Sequence, residues 1–285
     1  MPRVAKPRIP DPNAEKWYRA TRIRSQVTAD VNYRRLRAFC EQMSATPAGV
    51  LRLARKQTAV RDLLNRFVEE EAGKGRSAWY IHSSVIAVKS WLRYNDRPLR
   101  LEVPIPSNTA SARRESERVP TPEELHSVML AAKPHERAVV VLMAHSGLRP
   151  GAIGSYRGDE GLRMEDLQDL HYEGDGCRRP KPEPHSRDRF AELHSSGRFV
   201  FEKVPARVRV RTGSSKAKHQ YLTFVGEEGC GYLVHYFEQR AARGEKIGPR
   251  SGVAHPRFAG KEFVRALNIG ARVRRLFKSA GVLGT

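Results

Sequence analysis

Apolar positions recur with helical spacing through the first hundred residues. After Thr28, a candidate N-cap, Leu36, Phe39, Cys40 and Met43 fall at i, i+3, i+4 and i+7, while Arg34, Arg35 and Arg37 lie on other faces. Thr46 followed by Pro47 predicts a second helix start, and Val60, Leu63, Leu64, Phe67 and Val68 form a third stripe that ends at Gly73. A fourth helix opens at Ser77 and carries Ile81, Val85, Val88 and Leu92 as its apolar stripe. Tyr80, Lys89, Trp91, Arg93 and Tyr94 mix aromatic and basic character on that helix, which suits packing or the lining of a nucleic-acid groove. These stripes predict a helical bundle over residues 15–105.

The pattern then breaks. VPIPSNTASARRESERV, Val103–Val119, is too rich in proline, serine and charge to build a core, which places a linker at 106–118. A second domain, 119–285, opens on TPEEL, where Thr121 caps, Pro122 takes the first turn and Glu124 completes a capping box ahead of Leu125, Val128, Met129 and Ala132. AVVVLMAHSGLRPGAIG, Ala138–Gly154, reads as a compact apolar helix with Val141, Leu142 and His145 on one face, stopped by Gly147 as a left-handed C-cap. Pro150 suits the first turn of another short helix, so Arg149 stands in the elbow with its fork free for a phosphate. LRMEDLQDL reads as a short element, and the stretch Glu173–Arg189 as an exposed loop. From Phe199 to Val225 the period becomes two: Val204, Val208 and Val210 alternate with Arg207, Arg209 and Arg211, TGSSKAK turns, and YLTFV resumes, predicting a β-hairpin with a basic tip. Beyond it lie a helix around Tyr232–Arg243 and a last helix where Val273, Leu276 and Phe277 pack while Arg272, Arg274, Arg275 and Lys278 point outward.

Charge narrows the partner. The 285 residues carry a formal net charge of +21, and a field of that sign calls for a polyanion, DNA or RNA. No segment is apolar for long enough to span a bilayer. Residues 1–14, basic and proline-containing without an apolar stretch, read as a mobile arm and not as a secretory signal. Cys40, Cys177 and Cys230 are isolated, so neither a disulfide framework nor a CxxC zinc site is expected, and a reducing cytoplasm fits. His171, Cys177, His185 and His194 match no zinc template, and no metal and no cofactor is assigned. GSSK is not a P-loop, because the second glycine and the Lys-Ser/Thr pair are absent.

SGLRPGAI resembles the first arginine box of the tyrosine recombinases and phage-type integrases: Ala144, Gly147 and Arg149 match, and Ala152 stands where that family usually has an acidic residue. The order of bundle, linker and arginine box is similar to the family's as well. The resemblance implies a mainly α fold with a small β-sheet, in which an N-terminal helical core-binding (SAM-like) bundle precedes an α+β integrase-type catalytic domain. It also implies that Arg149 neutralises the scissile phosphate. A lysine of the hairpin, Lys216 with Lys218 as its competitor, would protonate the leaving 5′ oxygen, a task for which an ammonium charged at neutral pH is suited.

A histidine with an arginine three residues later, and a late tyrosine nucleophile, are not found after Lys216: His219, His235 and His255 lack that arginine, and Tyr221, Tyr232 and Tyr236 come too early. The catalytic domain is therefore expected to be incomplete at its C-terminus and the printed chain not to cleave. The expected function is that of a DNA-binding site-specific recombinase or integrase of a mobile element, the alternative a non-catalytic DNA-binding protein regulating recombination or transcription. An RNA-binding protein that reads shape is the third class. Beside Arg149 and Lys216, the expected contacts to double-stranded DNA are Arg34, Arg35, Arg37, Lys89, Arg93, Lys218, Arg274 and Arg275. The chain is expected to be cytoplasmic and nucleoid-associated, monomeric when free, with tetramers on DNA for an intact recombinase.

Overall fold

The computed structural model describes residues 11–106, 119–172, 198–256 and 261–282. The protein is mainly helical, with ten α-helices and two two-stranded sheets among these residues. The chain divides into two compact units at 118/119.

The first unit holds five helices: α1 (Pro12–Arg24), α2 (Gln26–Gln42), α3 (Pro47–Leu53), α4 (Gln57–Gly73) and α5 (Ala78–Tyr94). Helix α1 starts earlier than the arm assigned to residues 1–14 allows. Asp11 accepts the N–H groups of Asn13 and Ala14 at 2.8 and 3.1 Å, and Pro12 supplies a fixed φ at the first turn. Residues 11–14 thus belong to a capped helix, and the rest of the predicted arm lies outside the described residues. The cap of α2 is Ser25, not Thr28; the Thr28 N–H donates to Ser25 Oγ at 3.2 Å, which makes Thr28 the third helical residue. Thr46 caps α3 as its sequence predicts, and Ser77, read as the opening of the fourth helix, is the N-cap of α5.

The stripes meet in one core. Trp17 and Trp91 pack edge to face at 5.7 Å between centroids, and Phe39 and Phe67 at 5.1 Å. Trp91 is fully buried and donates from Nε1 to the Pro47 carbonyl at 3.3 Å, so it is a core residue and not a groove-lining one. It widens the stripe set by Ile81, Val85, Val88 and Leu92, and such a buried aromatic contributes about 1.5–3 kcal/mol through burial.

The second unit begins with α6 (Pro122–Ala131), whose capping box is complete: Thr121 N–H donates to Glu124 Oε2 at 2.9 Å, and Glu124 N–H to Thr121 Oγ1 at 3.3 Å. Helix α7 (Pro134–Ala144) is buried from Ala138 to Leu142, and α9 (Glu227–Ala242) packs along it. Between them come α8 (Pro150–Ile153), a 3₁₀ turn at Met164–Asp166, and strands β1 (Leu170–Tyr172), β2 (Phe199–Phe201), β3 (Ala206–Val210) and β4 (Tyr221–Val225). The run from Phe199 to Val225 is therefore not one hairpin. Phe199–Phe201 pairs antiparallel with Leu170–Tyr172, while Ala206↔Val225 through Val210↔Tyr221 form the hairpin proper. Val204 lies before β3, next to Pro205, which has no N–H for a ladder. Helix α10 (Ala266–Ser279) buries Ile269 and Leu276 and packs against α6, α7 and α8. The stretch Glu173–Arg189 read as a loop lies outside the described residues.

Candidate nucleic-acid interface

The elbow at Arg149 is built by its neighbours. Helix α7 ends at Ala144, Gly147 takes φ +62°, and the Leu148 N–H closes back on the Leu142 carbonyl at 3.1 Å, as the glycine stop requires. Arg149 is then the N-cap of α8, extended at φ −74° and ψ 150°, with its carbonyl accepting the Ala152 N–H at 2.8 Å. Its side chain is exposed and has no hydrogen-bond or ion-pair partner among the described residues. Ala152, at the family's acidic position, is buried in the core, so no carboxylate from that site steadies Arg149.

Two ties fix the β3–β4 hairpin to this elbow. Thr223, midway along β4, donates from Oγ1 to the Ser146 carbonyl at 2.8 Å. At the other end, Arg211 Nη2 donates to the Gly161 carbonyl at 2.6 Å, and Gly161 bridges Gly154, the C-cap of α8. Gly154 has to be glycine, since a Cβ there would collide with the Val264 carbonyl. Lys216 and Lys218 sit in the connection between the strands, both exposed and without a partner among the described residues. Lys218 adopts φ +60°, and the N–H of Lys218 donates to the Ser215 carbonyl at 3.3 Å.

The strand arginines meet a different fate. Arg207 holds Asp169 with Nη2–Oδ1 at 2.7 Å and its own backbone N–H at 2.7 Å. Arg209 pairs with Asp166 at 3.2 Å, and Arg211 with Glu160 at 2.7 Å and Asp166 at 3.3 Å. Asp166 and Asp169 are 1% and 2% exposed, so each is a buried carboxylate that needs this pairing. Burial alone would raise the Asp169 carboxyl, but the hydrogen bonds from the Arg207 side chain and backbone outweigh it and hold Asp169 below the usual carboxylate range. The alternation of Arg207, Arg209 and Arg211 was visible in the sequence, but their pairing with Glu160, Asp166 and Asp169, 38 or more residues earlier, was not.

The other expected contacts are dispersed. Arg34 is exposed with Nε on the Asp30 carbonyl at 3.1 Å, Arg35 stacks 3.8 Å over the Tyr80 ring, and Arg37 pairs with Glu41 at 3.2 Å. Lys89 is half-buried and Arg93 exposed on the second half of α5. Arg274 and Arg275 are exposed on α10, Arg275 Nε reaching the Ala271 carbonyl at 3.4 Å. Tyr236 is 5% exposed, and its Oη accepts the His255 N–H at 3.1 Å; burial raises its hydroxyl, the opposite of what a nucleophile needs. His171 pairs with Glu202 at 3.0 Å, while Cys177, His185 and His194 lie outside the described residues. No group of three or more His, Cys, Asp or Glu that could hold a metal occurs among the described residues. Among them, too, no helix is long and apolar enough to cross a membrane.

No protein-family model matches the chain, and no curated protein does. Among solved structures it is similar to "Crystal structure of XerA recombinase", at 15% identity and a TM-score of 0.36, over 95% of this chain and 77% of that one.

Proposed function

We propose that the chain binds duplex DNA through its phosphate backbone, in the manner of a tyrosine recombinase or integrase, with Arg149 and the lysine loop of the β3–β4 hairpin as its central contacts. The observation that carries the reading is selective neutralisation. The strand arginines are balanced by carboxylates, whereas Arg149, Lys216 and Lys218 are exposed, lack a protein anion among the described residues and are fastened to one frame by the Thr223 and Arg211 ties. Exposed cations without a protein anion are open to one from outside, and a guanidinium fork and ammonium groups both suit phosphodiester oxygens. The charge of +21 supplies the long-range attraction. Arg149 would bind the phosphate at the centre, and Lys216, with Lys218 next to it, would stand near the leaving oxygen. Tyr221 lies in β4 and Tyr232 and Tyr236 in α9, and of these Tyr236 is held in the core, so DNA binding is the activity proposed for the chain.

Fluorescence anisotropy with a 30-base-pair DNA duplex tests this. Arg149→Ala should weaken binding about fivefold at 0.15 M salt and lower the slope of log K against log salt by about 0.9, one phosphate contact. An unchanged slope would remove Arg149 from the interface. A duplex RNA of equal length that competes better than the DNA would move the reading to the third class.

A further inference from the structure

We propose that Arg211 is the positioning residue of the lysine loop, an inference that rests on the reading of this loop as a phosphate contact. Arg211 follows β3 directly and is 22% exposed along its side chain. Its guanidinium is clamped on three sides. Nη2 donates to Glu160 Oε1 at 2.7 Å and to the Gly161 carbonyl at 2.6 Å, Nε faces Asp166 Oδ2 at 3.3 Å, and Nη1 stands 3.8 Å from Glu165. The clamp is itself held, because Asp166 accepts the Arg163 N–H at 2.9 Å and Glu160 accepts the Gly161 N–H at 3.0 Å.

The backbone of the same residue starts the loop. The Arg211 carbonyl accepts the N–H groups of Ser214 and Ser215 at 2.9 and 3.0 Å, and Ser215 is tucked in at 5% exposure immediately before Lys216. Lys216 and Lys218 therefore spring from a turn whose hydrogen bonds begin at Arg211, and the direction of that carbonyl is set by a side chain fixed to the 160–166 segment. Only arginine can do this: its rigid fork reaches a carbonyl and two carboxylates at once, where an ammonium is a single point charge. Its own charge is balanced by the clamp, so it aims the lysines and does not itself bind phosphate.

The test uses the full chain with Cys177→Ser and a fluorophore on Ala217→Cys; burial pushes the thiols of Cys40 and Cys230 up to about 12, which keeps them unlabelled at neutral pH. Arg211→Met should lower the probe's anisotropy without DNA. It should also reduce the salt slope of DNA binding by about 1.8, as Lys216→Gln with Lys218→Gln does, although both lysines are intact. Combined with those two changes it should cost nothing more. Arg211→Lys, which keeps the charge and part of the clamp, should fall between wild type and Arg211→Met in both readouts and guards against a variant that fails to fold.

Unchanged probe anisotropy in Arg211→Met overturns the inference whether or not DNA binds. So does a slope loss of about 0.9 that adds to the lysine changes while Arg211→Lys binds like wild type, because Arg211 would then be a contact itself. If wild type shows no salt-dependent affinity, the DNA reading fails, and the anisotropy alone decides the clamp.

Discussion

Two sets of cations on one hairpin behave in opposite ways. Arg207, Arg209 and Arg211 alternate with valines along and just beyond β3, and every one of them closes on a carboxylate of the 160–169 segment. Lys216 and Lys218, a few residues on, have no such partner among the described residues. In sequence each of these five cations adds one charge to the same net total of +21; in the fold the three arginines fasten the hairpin, and the two lysines are the ones proposed to meet a ligand. On the proposed reading, net charge points to the class of partner, while internal neutralisation removes the strand arginines from the residues that would meet it.

The contrast can be broken at its strongest point. Asp166→Ala removes the carboxylate shared by Arg209, Arg211 and the Arg163 N–H, and should destabilise the protein by about 3 kcal/mol in urea unfolding, the low end for opening a buried ion pair because both guanidiniums keep some access to water. Stability should depend on pH through the neighbouring rung. The Asp169 carboxyl is held below its ordinary value, so its contribution is complete above about pH 4 and is lost as pH falls through the folded-state pKa. Asp169→Asn should be less stable at pH 7 and show a shallower acid limb, checked by urea midpoints from pH 7 down to pH 3.

On the loop the effects should appear in binding alone. Lys216→Gln with Lys218→Gln should weaken affinity for a DNA duplex about thirtyfold at 0.15 M salt, with the urea midpoint unchanged. The smallest effect is expected for Arg207→Gln, which loosens the hairpin but should alter DNA affinity less than twofold. A tenfold loss there would show that the ion-paired arginine also serves the ligand.

Much of the frame was legible in the residues themselves. Thr46, Ser77 and the Thr121–Glu124 box are local devices whose partners lie within three positions, and Gly147 ends α7 because only its own φ is involved. The period of two announced the β3–β4 hairpin, though not that Phe199–Phe201 pairs with β1 instead. Contacts of long separation were not legible. Asp169 meets Arg207 across 38 residues and Thr223 meets Ser146 across 77, and neither pairing has a spacing to announce it. Trp91 was ambiguous for a related reason: an aromatic beside Lys89 and Arg93 fits a groove or a core, and the choice is made by α1 and α3, which bring Trp17 and the Pro47 carbonyl to it. The start of α1 was hidden by the basic, proline-bearing residues before it, although Asp11-Pro12 is itself a cap signal. At the candidate interface, the elbow at Arg149 was readable, whereas the neutralisation of the strand arginines became visible only with their partners.

The most direct test is the salt dependence of DNA affinity, measured side by side for wild type, for Arg207→Gln with Arg209→Gln, and for Lys216→Gln with Lys218→Gln. The account predicts that the lysine pair lowers the slope of log K against log salt by about 1.8 and the arginine pair leaves it unchanged. Equal losses from both pairs would contradict it, since the carboxylates of the 160–169 segment would then not be keeping the strand arginines from the phosphates.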